Sequence, residues 1–183
     1  MTLVLNKTIA LVGMMGAGKT AVGKAIAARL HAPFIDSDSE IERAANMTIA
    51  EIFERDGEAF FREKESQIIK RLLKGEKCIL STGGGAFLAD KNRQLIHEKG
   101  ASVWLNADVD VLWARVKNNP SRPLLQTENP FQALSKLYSE RKPIYALADL
   151  SIESGAQISV DDMADKVIST LLDRRDILER QDD

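Results

Sequence analysis

Eight residues early in the chain, Gly13-Met14-Met15-Gly16-Ala17-Gly18-Lys19-Thr20, have the spacing G-x-x-x-x-G-K-T. That spacing suits phosphate chemistry. Glycines let a backbone close around an anion, because no Cβ intervenes and positive φ costs little. Successive N–H groups can then line a nest for phosphate oxygens. Lys19 is expected to reach the β- and γ-phosphates of ATP, and the Thr20 hydroxyl to ligate Mg2+. The flanks agree with this reading. Residues 8–12 form an apolar run and residues 21–30 have helical spacing. The loop therefore joins a strand to a helix whose positive end faces the same phosphates.

Two carboxylates follow a second short apolar run at 32–35. Asp36 and Asp38 flank Ser37 and can point into one cleft from a loop. One carboxylate is suited to orienting Mg2+ through a water, the other to taking the proton of a substrate hydroxyl. Asp38 is also placed to cap the helix that contains Ile41. A third apolar run, 78–82, ends in Ser81-Thr82, where many nucleoside-triphosphate enzymes carry a metal-binding Asp. Asp36 is then the natural source of that carboxylate. Gly83-Gly84-Gly85 comes next, and three glycines exceed what a turn needs. They suggest close approach of a ligand to backbone N–H groups.

Four arginines are less distinctive on their own. Arg62 can pair with Glu58 or Glu65 at helical spacing. Arg141 lies near a helix end, before Pro143, where a cation is favourable. Arg115 and Arg122 flank a polar stretch at 117–129 that contains Pro120 and Pro123. They read either as solvated loop charge or as groups on a mobile lid that closes over the transferring phosphate. His31 and His97 fall at element ends without metal-ligand spacing. Cys78 opens a buried strand.

The elements that must position these residues alternate strand and helix, the pattern of parallel βαβ units. Apolar runs at 8–12, 32–35, 78–82, 102–105 and 150–152 give five strands. Thr48-Ile49-Ala50-Glu51 reads as a capping box and Asn129-Pro130 as an N-cap with Pro at the first helical position. Ser159 and Asp162 form a second capping pattern. Phe131 and Val160 are placed on inward helix faces. The fold class is α/β: a three-layer, doubly wound, five-stranded parallel sheet with helices on both faces. Ligands gather at the carboxyl ends of its strands. At 183 residues the chain suits a single domain, 1–183, and the tail from about 174 to 183 is expected to fray. A net charge of −2 gives no drive toward nucleic acid, and no apolar run is long enough to span a membrane. The single cysteine suits a reducing cytoplasm. Lys7 and the apolar residues after it imitate a leader, but the loop glycines interrupt the pattern.

Taken together, the glycine loop, Asp36-Ser37-Asp38, Phe61-Arg62-x-x-Glu65, Ser81-Thr82-Gly83-Gly84-Gly85, Arg122-Pro123-Leu124-Leu125 and Arg141-x-Pro143-x-Tyr145 resemble the shikimate kinase family. The resemblance runs from about residue 8 to 172. It implies a cytoplasmic, ATP- and Mg2+-dependent enzyme that phosphorylates the 3-hydroxyl of shikimate, in chorismate and aromatic amino acid biosynthesis. It also implies a nucleoside-monophosphate-kinase-like fold with an acceptor-binding segment near 37–65, a lid near 117–129 and action as a monomer. By the same resemblance Asp38 is the shikimate-binding candidate base. Arg62, Arg141 and the glycine triplet hold the substrate carboxylate. Asp36 serves the metal through water, Arg122 reaches the phosphates, and Arg115 stacks on adenine. The segment after Tyr145, Ala146-Leu147-Ala148-Asp149, departs from the family pattern by lacking an acidic residue before Ala-Asp. Two alternatives stand beside this reading. One is a gluconate or other small-metabolite kinase of the same fold; the other is a nucleotide-binding regulatory module without turnover.

Overall fold

The computed structural model describes residues 2–119 and 126–182. In chain order its strands are β1 (Thr2–Leu5), β2 (Thr8–Val12), β3 (Phe34–Asp36), β4 (Ile79–Ser81), β5 (Gly100–Ala107), β6 (Leu150–Ser154) and β7 (Leu178–Gln181). Its helices are α1 (Lys19–Leu30), α2 (Ser37–Ala45), α3 (Ile49–Lys74), α4 (Asp90–Lys99), α5 (Val109–Val116), α6 (Pro130–Tyr145) and α7 (Val160–Leu172). The sequence of β2 is TIALV, and all five residues are buried. Side chains alternate between the faces of a strand, so helices must cover the sheet on both sides. β2 pairs in parallel with β4 on one edge and β5 on the other. β3 and β6 extend the sheet to the order β3-β4-β2-β5-β6, parallel throughout. This is the expected five-stranded doubly wound sheet. Its chain direction diverges beside β2, where α/β folds open their ligand crevice.

Local signals set the helix ends. Thr48 Oγ1 accepts the Glu51 N–H at 3.2 Å, and Glu51 Oε2 accepts the Thr48 N–H at 2.8 Å. That is a complete capping box, satisfying two orphan donors at once. Gly57, at φ 84, breaks the helical path inside α3, so this long element is two helices meeting at a kink. Asn129 Oδ1 caps α6 through the Gln132 N–H, with Pro130 at the first helical position. The helix continues through Pro143 to Tyr145.

Three expectations are corrected. Phe131 and Val160 are exposed, and Phe131 meets Trp113 edge-on at 5.7 Å. Each sits in the first turn of its helix, where the apolar face has not yet reached the core. The tail does not fray: β7 pairs antiparallel with β1, Leu5 opposite Leu178 and Thr2 opposite Gln181. Ile177 and Leu178 are fully buried. Lys7 and Arg174 both bind Asp176 at 2.9 Å, and the two cations hold its carboxyl far below the usual carboxylate range. The expected lid at 117–129 lies partly outside the described residues.

Because Leu178 is fully buried, Leu178→Ala should lower the unfolding free energy by about 2–5 kcal/mol. Urea denaturation of the two proteins checks this, and a loss near zero would restore the fraying tail.

Candidate active site

The carboxyl ends of β2, β3 and β4 deliver the loop, the carboxylates and the glycine triplet to one cavity. Its volume is about 480 Å3, and its walls include Gly16, Gly18, Lys19, Thr20, Asp36, Asp38, Ser81, Gly83, Gly84 and Arg115. Gly18 sits at φ 94 and starts α1 without a side-chain cap, and no acidic residue occupies the first turn. The first N–H groups of α1 therefore need partners, and an anion supplies them. Lys19 Nζ donates to the carbonyls of Gly13 at 2.7 Å and Met14 at 3.0 Å, which holds the ammonium inside its own loop. Met15 and Ala17 complete the loop, Ala17 with its side chain buried in the core.

The two aspartates divide their tasks differently from the capping alternative. The cap of α2 is Asp36, whose Oδ1 accepts the Ser39 N–H at 3.0 Å. Asp38 lies in the first turn of the helix, not in a loop. Its Oδ1 is buried and has no hydrogen-bond partner among the described residues. Burial, helped by the charge of Asp36, raises its carboxyl above the ordinary range, while Lys19 and Arg62 pull the other way. Thr82 also lines the cavity, with its hydroxyl engaged in donating to the Leu11 carbonyl at 2.8 Å.

The glycine triplet works through what it lacks. A Cβ on Gly83 would lie 2.7 Å from Asp38 Oδ1. One on Gly84 would lie 3.0 Å from Arg141 Nη1, and one on Gly85 would strike the Arg62 guanidinium. Close approach is the reason for the glycines, as expected, but the groups that approach include the site's own side chains. Arg62 Nη1 bonds both oxygens of Glu65, at 3.0 and 3.2 Å. Glu65 is buried, which raises its carboxyl despite the adjacent guanidinium. The pairing expected as a surface contact is thus a half-buried brace. Arg141 Nε is buried with no hydrogen-bond partner among the described residues.

Arg115 is a cross-brace: its guanidinium donates to the Gly16 carbonyl at 2.9 Å and the Gly155 carbonyl at 3.5 Å. It also borders a second, mostly apolar hollow of about 240 Å3 beside the loop, with Ala17, Val22, Ile158 and Met163. Arg122 lies outside the described residues. Three participants were absent from the predicted site. Ser37 is fully buried and its hydroxyl accepts the Gly83 N–H at 3.3 Å. Glu65 braces Arg62, and Tyr145 donates to the Gly84 carbonyl at 2.6 Å. Each falls within a motif already recognised, and helical spacing alone pairs Glu65 with Arg62. His97 pairs with Asp149 at 2.5 Å, away from the cavity. Cys78 is buried and its thiol is pushed up by burial. Among the described residues no three His, Cys, Asp or Glu side chains group as a metal site, and no helix is long and apolar enough to cross a membrane.

A phosphate-cradling loop at the switch point of a parallel sheet, facing a carboxylate and two guanidinium groups, defines a P-loop kinase of small molecules. The family model for shikimate kinase matches residues 15–172, and the chain belongs to that family. The shikimate kinase of Cereibacter sphaeroides is 61% identical over 175 residues, 96% of this chain and 87% of that protein. That of Ruegeria pomeroyi is 59% identical over 175 residues, 96% of this chain and 90% of that protein. The solved structure of shikimate kinase from Acinetobacter baumannii in complex with shikimate gives a TM-score of 0.86 at 40% identity, covering 92% of this chain and 94% of that one.

The raised carboxyl of Asp38 has a stability consequence whose sign is fixed. A carboxyl harder to ionise in the folded state than in the unfolded costs stability as pH rises through its folded pKa. Below the unfolded value the cost is absent. Asp38→Asn should therefore raise the melting temperature of the ligand-free protein at neutral pH, with the gain vanishing in acid. Thermal denaturation across pH 3.5–8 measures this, and a variant less stable at neutral pH contradicts it.

Proposed function

We propose that this chain transfers the γ-phosphoryl group of ATP to the 3-hydroxyl of shikimate, giving shikimate 3-phosphate and ADP. One observation carries the reading. Beside a phosphate-binding loop, an unpartnered carboxylate and two guanidinium groups converge on three consecutive glycines. The loop accounts for the nucleotide. A guanidinium fork binds a carboxylate through two parallel charged bonds, so Arg62 and Arg141, with the backbone N–H of Gly84, take the carboxylate of the acceptor. Asp38 accepts a hydrogen bond from the acceptor hydroxyl and takes its proton as the new O–P bond forms and the bond to the β-phosphate oxygen breaks. Lys19 turns from its loop carbonyls toward the phosphates, matching the charge on the leaving group. The apolar hollow beside Arg115 suits the adenine ring, with the guanidinium stacked on its face.

The donor set fits a hard divalent cation, since Thr20, Asp36 and Ser81 offer only oxygen. Thr20 would ligate Mg2+ directly and Asp36 through water. Magnesium, when bound, neutralises phosphate charge. Asp36 keeps one carboxylate oxygen beyond its capping bond for that task. Residues 1–183 are read as one catalytic domain acting as a cytoplasmic monomer, with 37–65 as the acceptor-binding segment. Glu65 at the end of that segment holds Arg62 in place.

The test is ADP release with shikimate, with gluconate and with neither. Turnover on shikimate alone is the expected result, and equal or faster turnover on gluconate overturns the substrate assignment. Lys19→Ala should abolish turnover. Asp38→Asn should lower kcat by about 10^2–10^4, and a change under about threefold would remove Asp38 as the base. Since the raised Asp38 carboxyl must be ionised to act, kcat in the wild type should fall on the acid side at a pH above the usual carboxylate range. Wild type should bind shikimate far more tightly than its methyl ester, and Arg62→Ala should narrow that gap about tenfold or more. Calorimetric titration with acid and ester gives the ratio; a mutant that keeps the wild-type ratio excludes Arg62 as the carboxylate ligand.

A further inference from the structure

Each backbone polar group of the glycine triplet can be traced. The Gly83 N–H goes to Ser37 Oγ at 3.3 Å, and the Gly83 carbonyl accepts the Ala86 N–H at 3.0 Å. The Gly84 carbonyl accepts the Tyr145 hydroxyl at 2.6 Å, and the Gly85 carbonyl accepts the Leu88 N–H at 3.2 Å. Among the described residues the N–H groups of Gly84 and Gly85 make no hydrogen bond. The peptides are trans, and in a trans peptide the carbonyl and the following N–H point in opposite directions. Anchoring the Gly83 carbonyl to Ala86 therefore aims the Gly84 N–H away from the core turn. Anchoring the Gly84 carbonyl to Tyr145 aims the Gly85 N–H the other way from Tyr145. Nothing else in the triplet holds that second peptide plane: its carbonyl has one partner, and that partner is a side-chain hydroxyl.

Tyr145 is itself well fixed. It is 1% exposed, at the last position of α6, and its ring lies 6.1 Å from that of Trp104 on β5. Burial raises the phenol, so it remains a protonated donor, while the charge of Arg141 one turn earlier favours the ionised form. Arg141 in turn has a buried Nε without an acceptor and an Nη1 beside Gly84. The Tyr145 hydroxyl thus bonds this peptide plane, and it and the Arg141 guanidinium both lie beside Gly84.

We infer that Tyr145 is a positioning residue for the acceptor's carboxylate: its hydroxyl sets the Gly84–Gly85 peptide plane beside the Arg141 guanidinium, so that backbone and guanidinium donors converge on one anion. The inference rests on the shikimate reading. It adds Tyr145 as a determinant of acid recognition and the Gly85 N–H as a donor beside that of Gly84.

Tyr145→Phe removes one oxygen and keeps the ring. It should lower kcat/KM for shikimate about tenfold, as expected when a buried carbonyl loses its only donor. The loss should fall on KM for shikimate rather than kcat, with KM for ATP unmoved and the preference for shikimate over its methyl ester reduced. A variant with a lower melting temperature but the wild-type acid-to-ester ratio would make Tyr145 a packing residue and overturn the inference. A second measurement does not depend on the variant folding. The chain has 2 tyrosines, so 3-fluorotyrosine incorporation gives one signal for Tyr138 and one for Tyr145. The 19F resonance of Tyr145 should move when shikimate saturates the protein without nucleotide; an unmoved resonance sinks the proposal. If the wild type does not phosphorylate shikimate at all, the substrate reading fails instead, and the two failures are distinct.

Discussion

A carboxylate and two guanidinium groups can share one small volume only if the backbone between them takes up almost no room. Gly83, Gly84 and Gly85 meet that constraint at the end of β4, and each lies against a different side chain: Asp38 from α2, Arg141 from α6 and Arg62 from α3. A methyl group at any of the three would displace the group it faces. The surrounding architecture serves this meeting. The parallel sheet brings β3 beside β4 in register, Asp36 opposite Ser81, which sets α2 directly over the triplet. The kink at Gly57 lets α3 carry Arg62 back toward the sheet, and the buried Glu65 keeps its guanidinium from swinging out to solvent.

The polar groups of the site are held apart from one another more than they are paired. Among the described residues Asp38 keeps a buried oxygen without a donor, and Arg141 keeps a buried Nε without an acceptor. Both are costly in an empty protein, because a buried polar atom without a partner forfeits its hydration. The arrangement makes sense if the missing partners arrive with the ligand. Donors already aimed and already stripped of water need little reorganisation when charge shifts during phosphoryl transfer. Arg62 and Lys19 are exceptions: Glu65 holds the one, and the other rests on the carbonyls of its own loop until phosphates compete for it.

How legible this was depends on how local each cause is. The phosphate loop could be read directly, because a glycine pattern between a strand and a helix controls backbone N–H groups within a few residues. The sheet followed from apolar runs and alternation, and the capping box at Thr48 from two side chains three positions apart. Which aspartate caps α2 was not legible: Asp36 and Asp38 have the same chemistry, and a shift of two residues in the helix start exchanges their roles. The burial of Glu65 was hidden because its spacing to Arg62 is that of an ordinary surface pair. The β1–β7 ladder was hidden because its partners are four-residue strands about 175 positions apart, and β7 has a charged composition that reads as a solvated tail. Phe131 and Val160 looked inward only because periodicity cannot say where along a helix the core begins.

That same ladder has a consequence for how the chain is made. β1 precedes the strands of the central sheet in the chain and β7 follows them, and each is the other's partner in a two-stranded sheet. Through most of translation β1 is an unpaired strand edge, the kind of surface that seeks any extended neighbour. The central sheet is complete once β6 has emerged, so the catalytic framework can form before β7 meets β1. Closing the ladder is then a later latch that sets β7 against β1, about 4.8 Å apart.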